Sequence, residues 1–209
     1  DQCETVLMNL IRGCHLDGLR GMLPSRPLAD GIRLVRPLLG IPRAGLAVYA
    51  RAERLPVRTD ATNAGLRYQR NRIRHRLIPL LRRLNPQAVP HVHATAARLA
   101  EEGLLLDAMT RVAARACAMR DDPAGLDAAR LARLPAALAR RVLRQTYIAA
   151  RGHAAALGDD HLRHMEAIVR GRGREYALPD RIRLVREGDR VRFAANTADS
   201  RRRRRRTAA

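Results

Sequence analysis

The segment from Arg67 to Arg76 concentrates side chains suited to binding an anion. Its ten residues include five arginines and the amides of Gln69 and Asn71. A guanidinium presents a rigid fork of donors that matches two phosphate oxygens, and an amide both donates and accepts hydrogen bonds. The segment is therefore predicted to hold an anionic ligand that is rich in hydrogen-bonding groups.

A helix and two strands are predicted to position this segment. Apolar residues recur at three- and four-residue spacing over residues 68–84, which predicts a helix with the arginines on its other faces. Pro79 should kink or restart this helix, because proline lacks a backbone N–H. Upstream, residues 32–39 are predicted to form a short strand that runs into a turn at Pro37. A helix over residues 43–54 and a second strand over residues 56–60 follow. The apolar residues of the 68–84 helix are Ile73, Leu77, Leu80, Leu81 and Leu84.

The order strand, helix, strand indicates an α/β unit, in which ligand-binding loops gather at the carboxyl ends of the strands. Asp60 and Asn63 follow the second predicted strand. Their side chains are expected to order the loop before the arginine-rich helix through hydrogen bonds to the backbone. A carboxylate at Asp60, beside so many arginines, could equally receive a substrate amine, and the sequence leaves both roles open.

The charge balance supports a polyanionic partner. The 209 residues contain 41 basic and 20 acidic side chains, for a formal charge of +21. All 41 basic residues are arginines, since the sequence contains no lysine. Such a field attracts nucleic acid or an anionic membrane surface. Aromatic residues make up only 2% of the chain, so recognition should rest on phosphates, shape and polar edges rather than on base stacking. RNA or DNA is therefore the first partner to consider.

The second half of the chain is predicted to be helical and then to form a small sheet. Helical spacing covers residues 87–119, 134–151 and 159–169, and alternating residues predict short strands at about 174–194. The first of these helices should bury Val89, Val92, Ala96, Leu99, Leu106, Met109, Val112 and Ala116. Six helical arginines are placed for phosphate contacts, although a solvated helix face would look the same. They are Arg98, Arg111, Arg115, Arg140, Arg141 and Arg144.

Cysteine and histidine patterns predict neither a disulfide framework nor a metal site. Cys3, Cys14 and Cys117 are odd in number and have no CxxC spacing, and His161 and His164 lack the partners of a known ligand set. No apolar run is long enough to span a membrane, and no segment has the features of a signal peptide. These observations predict a cytoplasmic protein with no membrane partner and with no metal bound by its cysteines and histidines.

Five short motifs occur together within residues 1 to about 90. They are Asp1-Gln2-Cys3-Glu4-Thr5 with Arg12-Gly13, Gly18-Leu19 with Gly21-Met22, Arg36-Pro37-Leu38-Leu39, Asp60-x-Thr62-Asn63 and Arg70-Asn71-Arg72-Ile73-Arg74. Together and in this order they resemble the tRNA(Ile)-lysidine synthase family of the N-type ATP pyrophosphatases, or PP-loop superfamily. Each motif is weak by itself, but five at compatible spacing are a specific match.

The resemblance implies a fold class of α/β followed by mainly α. Residues 1–85 would be the C-terminal half of a parallel-sheet, Rossmann-like catalytic domain, and residues 86–195 a helical linker and tRNA-binding domain with short strands. Residues 196–209, with six consecutive arginines, are expected to be a disordered tail that holds RNA non-specifically.

The resemblance also implies a reaction. Members of this family join free L-lysine to C2 of the wobble cytidine, position 34, of the isoleucine tRNA with a CAU anticodon. The reaction proceeds through an adenylated intermediate and changes codon specificity from AUG to AUA. ATP and Mg²⁺ are the implied cofactors, tRNA(Ile) and lysine the implied partners, and some members form homodimers.

Site roles are implied at the positions that match the motifs. Asp1, Arg70, Asn71 and Arg74 are the implied catalytic residues, and Asp1 would face the ATP site, where it could position Mg²⁺ or the activated cytidine. Glu4 is expected to organise the start of a helix over residues 2–12 rather than to touch substrate. The residues expected to bind tRNA are Arg67, Arg70, Arg72, Arg74, Arg76, Arg140 and Arg141.

The SGGxDS phosphate loop of the family would lie upstream of Asp1, and without that backbone cradle these residues alone are expected to be inactive. Two other classes stay open. One is a different PP-loop tRNA-modifying enzyme, such as a thiolase, which would predict paired catalytic cysteines. The other is a non-catalytic RNA-binding remnant.

Overall fold

The chain is a mixed α/β protein that divides into two compact units, Asp1–Leu105 and Leu106–Ala209. The computed structural model describes residues 1–29, 31–57, 67–122, 124–151 and 157–195. Asp60, Asn63 and the predicted tail over 196–209 lie outside the described residues.

The first unit is mainly helical. Its elements are α1 (Gln2–Ile11), α2 (Leu16–Leu19), β1 (Ser25–Ala29), β2 (Ile32–Val35), α3 (Arg43–Ala52), α4 (Gln69–Arg72), a π-helical turn (Ile73–Leu77), α5 (Ile78–Leu84) and the first part of α6 (Ala88–Cys117). The helices predicted over 2–12 and 43–54 are confirmed by α1 and α3. Gly13 follows α1 with φ of 75°, the left-handed conformation that a glycine supplies after a helix.

The two strands of the first unit form an antiparallel hairpin. The short strand predicted before Pro37 is confirmed by β2, and the predicted turn at Pro37 is confirmed by the hydrogen bond from the Leu39 N–H to the Arg36 carbonyl. The strand β1 was not predicted. Of the strand predicted over residues 56–60, Pro56 and Val57 have irregular backbone, as suits a proline without an N–H to donate to a sheet. Residues 58–60 lie outside the described residues. Within the described parts of the chain, no two strands pair in parallel.

The helix predicted over residues 68–84 is present but interrupted just before Pro79. The Ile78 N–H bonds to the carbonyl of Ile73, five residues back, in a π-helical turn. Pro79 then lies in the first turn of α5, where its missing N–H costs no helical hydrogen bond. The expected restart at this proline is confirmed.

The apolar face predicted for this helix is correct only in part. Ile73 and Ile78 are buried against α1, whereas Leu80 and Leu84 are 51% and 76% exposed. A π turn holds more residues than an α turn, so side chains after it are rotated about the helix axis relative to a regular 3.6-residue repeat. The regular repeat therefore predicted the wrong face beyond the turn.

The long helix predicted over residues 87–119 is confirmed by α6, but its predicted face is wrong in the second half. Met109 and Val112 are 47% and 68% exposed, while Ala113 and Cys117 are buried in the core of the second unit. Because Ala113 and Cys117 have small side chains, α6 can approach that core closely. The prediction relied on hydrophobicity alone and therefore placed the larger Met109 and Val112 in the interior.

The second unit packs helices against a four-stranded antiparallel sheet. Its further elements are β3 (Gly125–Asp127), α7 (Ala128–Arg133), α8 (Ala136–Arg151), α9 (Asp159–Val169), β4 (Glu175–Leu178), β5 (Ile182–Glu187) and β6 (Arg190–Ala195). The sheet order is β3-β6-β5-β4. Tyr147, Leu143 and Leu184 are fully buried in its core, and the Tyr147 hydroxyl donates to the Pro179 carbonyl at 3.2 Å. The predicted helices and late strands are confirmed, and β3 and α7 are additions.

Candidate anion-binding site

The start of α1 and the arginine-rich segment meet in a cluster of four charged side chains. Arg74 donates two hydrogen bonds to the Glu4 carboxylate, from Nε at 2.6 Å and from Nη2 at 2.9 Å. Arg70 Nε donates to the same carboxylate at 2.7 Å. Residues four apart on a helix lie one above the other, so both guanidiniums reach one acceptor. We call Arg70 and Arg74, which are both held by Glu4, the Glu4-anchored pair.

Asp1 lies at the outer edge of this cluster. Its Oδ1 accepts a hydrogen bond from Arg74 Nη2 at 3.0 Å and lies 3.3 Å from Arg70 Nη2. The exposed fraction of the side chains rises from 7% for Glu4 through 21% for Arg74 and 44% for Arg70 to 62% for Asp1. The cluster thus has a buried anchor and a solvent-facing edge, where a ligand can reach the guanidiniums.

The arginines determine the charge state of the anchor. Burial alone would raise the pKa of the Glu4 carboxyl, but hydrogen bonds from Arg74 and Arg70 outweigh burial and hold that pKa below its ordinary value. The carboxylate is therefore ionised at neutral pH. Its charge fixes the orientation of two forked donors before any ligand binds, which is the preorganisation that electrostatic catalysis requires.

We expect the stability of the first unit to depend on Glu4 in acid. Because the folded pKa is lowered, the stabilisation is fully present above the ordinary carboxyl pKa of about 4.5 and is lost as the pH falls through the folded pKa. Urea unfolding between pH 7 and pH 3 should show this loss in the wild type and a flatter profile in Glu4→Gln. Glu102→Gln, at an exposed position, should keep the wild-type profile; equal flattening in both variants would contradict the assignment.

Gln2 fixes α1 to the loop that follows α2. Its amide is buried, donates to the Met22 carbonyl at 3.0 Å and accepts from the Met22 N–H at 2.8 Å. Gly21 faces this amide with φ of 63°, and a Cβ there would lie 2.7 Å from Gln2 Oε1. The close approach holds the helix start that carries Asp1 and Glu4.

Gly21→Ala should therefore destabilise the first unit by about 2 to 3 kcal/mol, through the positive φ and displacement of the Gln2 amide. Gly13→Ala is the matched control, because Gly13 has a similar φ of 75° but a Cβ added there would have no atom within 4 Å. Its cost should be only about 1 kcal/mol. Equal losses in thermal unfolding would show that the Gln2 contact contributes nothing.

The structure brings together three of the four predicted catalytic residues. Asp1, Arg70 and Arg74 share the cluster, whereas Asn71 is buried, and the predicted loop residues Asp60 and Asn63 lie outside the described residues. Arg67, Arg72 and Arg76 are exposed along the same segment. Glu4 was expected to organise the helix start rather than to touch substrate, and its contacts with Arg70 and Arg74 were not predicted. An acidic residue inside an otherwise apolar helix face was the signal that it has a charged partner.

Arg140 and Arg141 of the second unit have acidic partners of their own. Arg140 Nε donates to Glu166 at 2.8 Å, and Arg141 Nη2 donates to Asp107 at 2.5 Å. Arg140 is about half exposed and Arg141 largely covered. These pairs stabilise the packing of α8 against neighbouring helices, and tRNA binding by the two arginines stays a prediction.

The implied cofactors fit these residues unequally. The two guanidiniums of the Glu4-anchored pair suit one phosphate, but the 209 residues contain no SGGxDS sequence that could cradle a triphosphate. In the part of the chain that the structure describes, no three His, Cys, Asp or Glu side chains converge as metal ligands. Asp1 and Glu4 are neutralised by arginine, so they do not by themselves form a Mg²⁺ site. No described helix is long and apolar enough to cross a membrane.

The chain is similar to known proteins over most of its length. Residues 1–81 match the PP-loop domain family. The chain is 36% identical over 204 residues to a tRNA(Ile)-lysidine synthase of Geobacter sulfurreducens, and the match covers 95% of this chain and 42% of that protein. The corresponding enzyme of Symbiobacterium thermophilum is 38% identical over 93% of this chain and 42% of its own length. The tRNA(Ile)-lysidine synthase of Synechococcus is 42% identical, and the match covers 68% of this chain and 43% of that protein. The chain thus spans less than half the length of these relatives.

Proposed function

We propose that this protein is an ATP-dependent tRNA-modifying ligase. Residues 1–81 match the PP-loop domain family, and most of the chain aligns with tRNA(Ile)-lysidine synthases. It joins the amino group of free lysine to C2 of the wobble cytidine in isoleucine tRNA with a CAU anticodon. The modified tRNA then reads AUA instead of AUG.

The observation that carries this proposal is the Glu4-anchored pair at the edge marked by Asp1. In the second half of the reaction, a C2–N bond forms to lysine, and the bond from C2 to the adenylated oxygen breaks. The departing AMP takes that oxygen and gains negative charge. Arg70 and Arg74, held in place by Glu4, stabilise this charge as it develops.

Asp1 has a different role in the proposal, because its carboxylate is exposed and lies beside both guanidiniums. A carboxylate accepts hydrogen bonds from the exocyclic amino group of cytosine. Asp1 therefore orients the target base, while the arginines interact with the phosphate. ATP supplies the adenylyl group when bound, and its triphosphate is held by groups outside this cluster.

The finer features of the family are part of the same proposal. The α/β segment belongs to a parallel, Rossmann-like sheet, Mg²⁺ accompanies ATP, and the protein acts in the cytoplasm, with a homodimer as one assembly it can form. Arg67, Arg72 and Arg76, together with Arg140 and Arg141, bind tRNA phosphates. The formal charge of +21 supports this partner, since phosphate neutralisation dominates RNA affinity.

Lysidine formation provides the test. The 209 residues are expressed behind a PP-loop segment that carries SGGxDS, and this joined protein is incubated with labelled lysine, ATP and a tRNA(Ile) transcript with a CAU anticodon. We expect ATP-dependent incorporation of lysine into this transcript and none into a transcript with a GAU anticodon. The 209 residues by themselves should bind the transcript without modifying it.

Two outcomes would replace the proposal. RNA binding without lysine incorporation in the joined protein would favour a non-catalytic RNA-binding protein. Incorporation of sulfur would favour a thiolase, but burial raises the pKa of the thiols of Cys3, Cys14 and Cys117, which is opposite to the change that activates a nucleophilic cysteine.

A further inference from the structure

A groove of about 420 Å³ lies on the helical segment that carries the Glu4-anchored pair. Its apolar surface includes Ile11 at the end of α1 and Leu77 and Leu80 from the π turn and α5. Arg72 and Arg76 line it as well. All of these residues belong to the first unit. We call this feature the Arg72–Arg76 groove.

The charges of the groove are not compensated within the described residues. Arg70 and Arg74, on the other side of the helical segment, are paired with Glu4 and Asp1. In contrast, Arg72 and Arg76 have no ion pair or hydrogen bond to any side chain that the structure describes, and both are exposed. The helix therefore carries two kinds of arginine pair, one oriented by acidic residues and one without an acidic partner among the described residues.

A third cation stands near this groove. Arg12 is exposed, and its Nη2 donates to the side-chain oxygen of Gln69 at 3.1 Å. Gln69 also lines the groove. Because the partner is a neutral amide, the charge of Arg12 is not cancelled by this contact. Among the described residues that line the groove, none is acidic.

The dimensions and chemistry of the groove restrict its occupant. Its volume lies within the range of about 300–1,000 Å³ that small ligands occupy, so it has room for one small, partly apolar group. An apolar floor with arginines beside it fits a flat base with phosphates attached. The π turn Ile73–Leu77 contributes to the floor, and such turns are frequent at functional sites.

We propose that the Arg72–Arg76 groove binds one unpaired nucleotide of the substrate RNA, in the same loop as the nucleotide that reacts at the Glu4-anchored pair. The base lies on Leu77 and Leu80, and its phosphates bind Arg72 and Arg76. This inference rests on the proposed function for the identity of the RNA, but not for the presence of the binding site.

The test compares two double variants that each remove two positive charges from the same helical segment. Arg72→Gln/Arg76→Gln changes the groove, and Arg82→Gln/Arg83→Gln changes exposed arginines of α5 that do not line it. Binding of the full chain to the tRNA(Ile) transcript is measured over a range of salt concentrations. We expect a loss of at least about tenfold and a salt slope reduced by about 2 for the groove variant. The control should lose less than about threefold.

A second comparison tests the apolar floor. Leu80→Gln alters the groove, and Leu84→Gln alters a more exposed leucine of α5 outside it. The probe is an anticodon stem-loop with 2-aminopurine beside the wobble cytidine. Its fluorescence should change on binding to the wild type and to Leu84→Gln, but not to Leu80→Gln. Thermal unfolding of all four variants should match the wild type, since each site is exposed.

Equal losses for the two arginine pairs would mean that only net charge matters and would overturn the inference. An unchanged 2-aminopurine signal on wild-type binding would assign the groove to another occupant, such as an apolar protein segment, and would also overturn it. Failure of the proposed function is distinguishable. In that case the groove variants would still lose binding of the stem-loop, while the joined protein without any substitution would give no product in the lysine incorporation assay.

Discussion

Arg74→Ala should lower the rate of lysidine formation by at least about 10²-fold in single-turnover assays, while tRNA affinity falls less than about threefold. Removing one preorganised donor to a developing anion typically costs about 10² to 10³ in rate. The side chain is 21% exposed and is held by three hydrogen bonds to Glu4 and Asp1, so a solvent molecule cannot reproduce its orientation. The rate is measured on the joined protein that carries SGGxDS.

Two further variants separate chemistry from folding in this experiment. Arg74→Lys keeps the charge but lacks the planar fork that matches both oxygens of Glu4, and it should recover only part of the rate. Arg83→Ala, an exposed arginine of α5, should retain nearly the full rate. If Arg74→Ala turned over as fast as Arg83→Ala, the cluster would have no part in the reaction.

Glu4→Ala should destabilise the first unit by about 3 kcal/mol, the low end of the cost of removing one member of a buried ion pair. The low end applies because Arg70 is 44% exposed and can turn towards water. The variant should also lose most of the activity, because both guanidiniums lose their common acceptor. Urea unfolding at pH 7 measures the first effect, and single-turnover kinetics at a temperature where the variant is folded measures the second.

A double-mutant cycle tests whether Glu4 acts through the arginines. Glu4→Ala combined with Arg74→Ala should cost less than the sum of the single variants, because residues in direct contact are coupled. Glu102→Ala, at an exposed position of α6, provides the control for loss of an acidic residue. Additive losses would show that Glu4 and Arg74 contribute independently, and the anchoring role would be abandoned.

Local sequence patterns predicted helix ends well where those ends depend only on residues nearby in the sequence. α9 begins and ends where its spacing predicted, and α1 ends before Gly13, whose positive φ completes the helix terminus. Those signals are local, because capping and periodicity depend on neighbours within a few residues. The pairing of β3 with β6 was missed, since their sequence separation leaves no local trace of the contact.

The sequence by itself predicted a polyanionic partner, the resemblance to the PP-loop family and a role for Arg70 and Arg74. These follow from residue types and their order along the chain. Only the tertiary structure decided which arginines are compensated. Glu4 lies 66 residues from Arg70, and whether a guanidinium meets a carboxylate or solvent depends on packing of separate helices and on the π turn before Pro79. Charge composition is a property of the chain, but charge compensation is a property of distances between atoms, which folding alone establishes.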